Sequence, residues 1–293
     1  MYKRIIDLDI WRENSLFLWG ARQTGKSTLM RRRFPGARYY DLLLSDVYAR
    51  LLAAPSLLRE ECEAAGLTGE TQQWPGVVDE VQKLPALLDE VHWLIENRGL
   101  RFVLCGSSAR KVKRGHANLL GGRALRCELF PLVYPEIPHF DLSRALNAGL
   151  LPRHYQSRSP GRMLRSYAGE YLRQEVVSEG LARNLPAFSR FLEVSAQCNG
   201  DVLNYTNIAA ECAVSSPTVK EYYAIAADTL LGRFVPAYVK RARRRQVHAP
   251  RFYYFDVGVT ASLARRGAVE QGSELFGRAF EHLIVNEVLA WVS

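Results

Sequence analysis

Eight residues, Gly20-Ala21-Arg22-Gln23-Thr24-Gly25-Lys26-Ser27, follow directly on the apolar run Ser15-Leu16-Phe17-Leu18-Trp19. The run is short enough for a buried strand, and the segment Ser27 to Phe34 suits a helix that stops before Pro35-Gly36. Between them the spacing is G-x-x-x-x-G-K-[ST], which commits the chain to strand, phosphate-wrapping loop and helix. Each fixed position has a physical reason. Glycines let main-chain N–H groups turn inward on a polyphosphate, and the helix aims its positive end at the same anion. Lys26 is expected to reach the β- and γ-phosphates, and the Ser27 hydroxyl to ligate Mg²⁺. Gly20 to Ser27, with Thr28 in the first helical turn, are the predicted nucleotide-binding residues. A chance glycine-rich turn would lack the flanking strand and helix.

Further apolar runs set the rest of this part. Ala37 to Leu42, Val77-Val78 and Leu100 to Cys105 are expected strands. Residues 46–66, interrupted at Pro55, and Leu87 to Asn97, ended by Gly99, are expected helices. Strands alternating with helices predict an α/β fold: a P-loop NTPase with a parallel sheet. Val78 runs into Asp79-Glu80. An acidic residue ending a neighbouring strand holds magnesium, which gives Asp79 the metal role. The carboxylate beyond it, Glu80, can orient the attacking water or take its proton, so the adjacent pair favours hydrolysis over binding alone. Two surface acids opening a helix are the plain alternative. Strand Val103-Leu104-Cys105 ends at Gly106-Ser107-Ser108, where Ser107 or Ser108 can sense the γ-phosphate. An ordinary polar turn reads almost the same. Arg123, after Gly121-Gly122, is a candidate to stabilise transition-state charge in its own subunit or a neighbour's, with a solvated arginine as its rival.

Beyond about residue 135 the texture changes. Prolines at 131, 135 and 138 stiffen the connection, and from Met163 to about Leu231 the chain reads as mainly helical. Asn204 to Cys212, the turn at 213–215 and Ser216 to Leu230 form a helix, turn and helix, capped by Ser215 or Ser216 with Pro217 in the first turn. The second helix offers only Thr218, Lys220, Glu221 and Tyr222 as outward groups, which is thin for reading bases. Strands over Phe234–Lys240 and Arg251–Phe255 flank the dense basic run Lys240-Arg241-Ala242-Arg243-Arg244-Arg245-Gln246-Val247-His248. Such a wing, at 240–251, suits DNA phosphates without reading sequence. A solvated hairpin tip and a face for an acidic protein partner stay open. Lys111, Lys113 and their arginine neighbours are expected to meet water, and Arg31-Arg32-Arg33 to complement a helix end.

These segments together resemble AAA-type ATPases. More narrowly, they resemble a prokaryotic family in which that domain precedes a winged-helix segment and a nuclease-like domain of unknown function. The matching residues are Gly20–Ser27, Val77-Val78-Asp79-Glu80-Val81-Gln82, Cys105-Gly106-Ser107-Ser108, and Gly122-Arg123 leading to Phe130-Pro131-Leu132 and Glu136. Further on come Asn204-Tyr205 through Leu230, Phe252 to Gly258, and Phe276-Gly277-Arg278-Ala279-Phe280-Glu281. The resemblance implies an ATPase domain over 1–140, a helical and winged-helix domain over 141–265, and the start of a truncated nuclease-like domain over 266–293. Glu281 and Glu287 stand where that last domain's first acids belong, but no D/E-x-K segment follows, so nuclease activity is not expected of these residues.

Composition adds bounds rather than direction. Net charge is +9, spread over both halves, which permits anionic partners without locating them. Five cysteines without a C-x-x-C pair suit reduced thiols in the cytoplasm, and no apolar run is long enough to cross a membrane. The expected activity is Mg²⁺-dependent ATP hydrolysis coupled to a winged-helix module that binds DNA or protein. A slow nucleotide-gated switch is the alternative. A small-molecule kinase is disfavoured, because the helix-turn-helix and basic run would have no task in it. No residue separates ATP from GTP.

Overall fold

The computed structural model describes residues 2–108, 120–171, 184–238 and 249–292. The chain forms two compact units, one of Lys3–Phe130 and one of Pro131–Val292 joined by Tyr2. The boundary between them falls at 130/131.

In the amino-terminal unit, the five residues of β1 (Ser15–Trp19) are all buried, as an unbroken apolar run requires of a central strand. Then come α1 (Lys26–Arg33), β2 (Tyr39–Asp41), α2 (Ser45–Ala53) and α3 (Leu57–Ala64), with the helical stretch broken at Pro55 as expected. The unit continues with β3 (Gly76–Asp79), α4 (Leu87–Arg98), β4 (Phe102–Gly106) and β5 (Ala124–Glu128). The strands form one parallel sheet in the order β2-β3-β4-β1-β5. Strand side chains alternate between faces, so Leu16, Leu18, Val77, Val103 and Cys105 share a core with Met30 of α1 and Phe34 just after it. Phe17 and Trp19 stack on the other face, ring centroids 5.4 Å apart.

Two expectations change here. Strand β5 was not foreseen, because its residues ALRCE are only half covered at the sheet edge and carry no apolar run. Strand β3 is not the neighbour of β1: β4 lies between them, pairing Val78 with Leu104 and Leu104 with Phe17.

The carboxyl-terminal unit begins with three short helices, α5 (Leu142–Ala148), α6 (Pro152–Gln156) and α7 (Pro160–Ser166). Next are α8 (Leu185–Gln197), α9 (Tyr205–Cys212) and α10 (Ser216–Asp228). Asn204 and Ser215 cap the last two by accepting from backbone amides, and Ala213 between them takes φ +54°. Strands β6 (Gly232–Val235) and β7 (Arg251–Tyr254) pair antiparallel, so the first strand is shorter and earlier than the expected 234–240. The unit ends with α11 (Val257–Leu263) and α12 (Glu274–Trp291). Ala279 and Leu283 of α12 pack into one cluster with Leu132, Leu146 and Val257. An aromatic core of Phe191, Tyr223, Phe252 and Tyr254 ties α8 and α10 to β7. Tyr222, expected to face outward, is buried against Phe188 and Phe191 instead. The basic run at 240–248 and the smaller group at 110–114 lie outside the described residues; of the expected wing at 240–251, only residues 249–251 are described.

Candidate nucleotide site

All strands of the sheet point the same way, so one edge collects every strand's carboxyl end. The loop after β1 sits on that edge. Gly20 cannot be replaced there, since a Cβ would lie 2.5 Å from the Leu129 carbonyl oxygen. Gly25 takes φ +96°, a backbone state that side chains other than hydrogen disfavour, and so opens α1 directly on Lys26. Thr24 is buried and its hydroxyl donates to the Ala21 carbonyl at 2.8 Å, which fixes the loop's curl rather than reaching a ligand. Arg4 braces the same loop, donating to the carbonyls of Thr24 at 2.7 Å and Phe130 at 2.6 Å. Nothing in the local spacing singled out Arg4.

Lys26 is 5% exposed and folds its ammonium over the loop, donating to the carbonyls of Gly20 at 2.7 Å and Ala21 at 3.0 Å. An ammonium carries three donors and two are engaged, leaving capacity for an anion in the cradle. Ser27 is half-buried in the first turn of α1, while Thr28 and Gln23 are exposed and Arg22 half-buried.

Asp79 ends β3 on the α1 face of the sheet, almost wholly buried, with Cys105 beside it in register and Leu18 beyond Cys105. Its Oδ2 accepts from the Tyr39 hydroxyl at 2.6 Å and its Oδ1 from the Glu80 amide at 3.1 Å. Burial pushes the Cys105 thiol well above its ordinary pKa. The Asp79 charge adds to that rise and the Lys26 charge opposes it, so one sulfur feels both groups. Glu80 is 8% exposed and holds φ +59°, a strained state for a residue with a side chain. The Gln82 side-chain amide donates to Glu80 Oε2 and, at 3.1 Å, to the Ser107 hydroxyl. The Gln82 carbonyl oxygen is buried without a hydrogen-bond partner. Ser107 and Ser108, just past β4, are both buried. Lys26, Asp79, Glu80 and Ser107 thus occupy the same sheet edge, where Tyr39 holds Asp79 and Gln82 links Glu80 to Ser107, two residues to which no role had been assigned.

Arg123 is not part of this group. Strand β5 sets Ala124 beside Ser15 and Glu128 beside Trp19, so Arg123 lies at the amino edge of the sheet. With ~3.3 Å per strand residue, that is ~16 Å from the loop. There it pairs with Glu96 on α4. A cis role for Arg123 does not fit this geometry.

A hard cation needs oxygen donors, and the Ser27 hydroxyl and Asp79 carboxylate supply them at the edge where the lysine cradle would hold phosphate. The donor set fits magnesium. In the carboxyl-terminal unit, Glu281 accepts from the Tyr253 hydroxyl at 2.6 Å and Glu287 from the Tyr134 amide at 2.8 Å, each with its own partner. The described residues contain no helix long and apolar enough to cross a membrane.

Comparison with known proteins follows the same division. Residues 12–138 match the family model described as an AAA domain, and residues 139–270 match a domain of unknown function, DUF8612. No curated protein matches the chain. Among solved structures, it is similar to a Signal Transduction ATPase with Numerous Domains (STAND) protein with a tetratricopeptide repeat sensor, from Pyrococcus horikoshii. Identity is 13% and the TM-score 0.29, over 98% of this chain and 46% of that one, so the chain spans less than half of that structure's length. The phosphate-loop motif, the parallel sheet and the match over residues 12–138 agree on a P-loop nucleotide-binding fold that is similar to AAA domains.

Proposed function

We propose that this protein binds ATP with Mg²⁺ and hydrolyses it, using the nucleotide state to control a winged-helix module in residues 141–265. The observation that carries the reading is the meeting of a buried lysine, a strand-end aspartate and a strained glutamate at one sheet edge. Loop amides and Lys26 bind the β- and γ-phosphates. Ser27 and Asp79 hold magnesium, whose charge offsets that of the phosphates. Glu80 orients the attacking water and accepts its proton, and Ser107 reports on the γ-phosphate. Loss of the γ-phosphate contacts then shifts the partner-binding module. Any arginine contribution by Arg123 has to come from a neighbouring copy.

A second reading, a nucleotide-gated switch with little turnover, is favoured by one contact: Gln82 already occupies Glu80. The module's partner is DNA on the account of helices α9 and α10 with the basic segment 240–251, and an acidic protein otherwise. The buried position of Tyr222 leaves Lys220 and Glu221 as exposed groups on α10, which weakens base reading by that helix. The test is phosphate release from ATP and from GTP, with and without duplex DNA. Magnesium-dependent release supports hydrolysis, and stimulation by DNA supports the nucleic-acid partner. Partner affinity that depends on ATP without release supports the switch. No release and no nucleotide-dependent affinity defeats both.

A further inference from the structure

Tyr39 stands on β2, the edge strand farthest from the phosphate loop's own strand in that half of the sheet. It pairs with Val77, and Asp79 lies two residues further along β3 on the same face. The phenol therefore runs along that face to place its hydroxyl 2.6 Å from Asp79 Oδ2. The ring is itself held. Arg31, in the last turn of α1, stacks its guanidinium 4.3 Å from the Tyr39 centroid and bridges to Asp41 at 2.7 Å.

The Asp79 carboxylate thus accepts one bond on each oxygen, from Tyr39 and from the Glu80 amide. A carboxylate offers about four lone-pair sites, so both bonds can persist while a further site faces a metal ion or its water. The two bonds fix its rotamer and divide its charge in advance. We propose that Tyr39 is a positioning residue for the metal site: its hydroxyl sets the Asp79 carboxylate for magnesium, and Arg31 ties that setting to the helix that follows the phosphate loop. This inference rests on the Mg–nucleotide reading of the sheet edge.

The test is equilibrium binding of a fluorescent ATP analogue over a magnesium titration, with the unfolding midpoint measured alongside. Tyr39→Phe is expected to raise the magnesium concentration for half-maximal enhancement by three- to tenfold. Affinity for the metal-free nucleotide should be unchanged. In an Asp79→Asn background, Tyr39→Phe should produce no further shift. A purely structural hydrogen bond would lower the unfolding midpoint and leave the magnesium requirement alone, and that result overturns the proposal. If Tyr39→Phe does not fold, Arg31→Ala decides: a smaller shift in the same direction supports the proposal and no shift overturns it. Wild-type protein whose nucleotide binding ignores magnesium would overturn the underlying reading of the site, whereas a normal wild-type response with an unshifted variant overturns only the role of Tyr39.

Discussion

The two units bury polar side chains to different ends. In the amino-terminal unit Thr24, Lys26, Asp79, Glu80, Gln82, Ser107 and Ser108 are all buried, and they gather where parallel strands end. Several carry strain or unmet capacity: Glu80 is left-handed, Gln82 has an orphan carbonyl, and Lys26 has donor capacity to spare. In the carboxyl-terminal unit most buried polar groups are spent locally; the His154 ring nitrogens and the Tyr223 hydroxyl are buried without a hydrogen-bond partner, but they stand apart rather than gathered at one edge. Asp256 caps α11 through the Val259 amide at 2.9 Å and binds the Leu150 amide at 2.6 Å. Asn199 accepts from the Tyr254 amide, His282 meets the Tyr254 carbonyl, and the Ser195 hydroxyl donates to the Leu192 carbonyl at 3.3 Å. Burial alone therefore does not mark a functional site. Convergence with incomplete satisfaction does, because selection for stability would otherwise complete those bonds.

The sharpest way to break this contrast is Glu80→Gln. If the amino-terminal group serves chemistry, phosphate release should fall about a thousandfold while ATP affinity stays within about twofold. Release at the wild-type rate would return Glu80 to the class of structural acids.

His282 offers the opposite test, in stability. Burial holds its pKa near about 4, against roughly 6.5 in an unfolded chain. Between those values the unfolded state binds more protons, so stability is full above about pH 6.5 and declines as pH falls toward about 4. The loss reaches about 3 kcal/mol at most. Urea midpoints across that range should show it for wild type, and His282→Gln should flatten it. A flat wild-type profile would mean that the ring is not buried as a neutral base.

A smaller effect is expected of Asp256→Ala, which strips two backbone amides of their acceptor. It should destabilise by about 2 kcal/mol in chemical denaturation and leave nucleotide affinity unchanged. A change in affinity without a change in stability would blur the distinction between the units.

Much of this contrast was legible in the residues, and the exceptions have physical causes. The phosphate loop is local: its spacing, the apolar run before it and the helix after it lie within one short stretch, so Gly20 to Ser27 needed no tertiary knowledge. Asp79 and Glu80 were legible as a strand-end pair, but not the intervening β4, because strand order depends on long-range pairing. Arg123 shows the same gap. Two glycines before it suggested close approach, yet only the β1–β5 register reveals which sheet edge it occupies. Tyr39 reaches Asp79 from 40 residues away, and no pattern in its own strand signals that bond. Gln82 was visible only as part of a resemblance, and its contact with Glu80 and Ser107 required the fold. Tyr222 was placed outward because helical spacing leaves neighbouring positions ambiguous when α8 packs over a broad face of α10.

The central claim is that Lys26 and its loop hold a triphosphate, and equilibrium ATP binding in the presence of magnesium tests it most directly. Lys26→Ala should weaken ATP binding about a hundredfold, the loss expected when a charged donor to phosphate is removed in a water-poor cradle, without shifting the unfolding midpoint of the carboxyl-terminal unit. Equal affinities for wild type and Lys26→Ala, in folded protein, would contradict it.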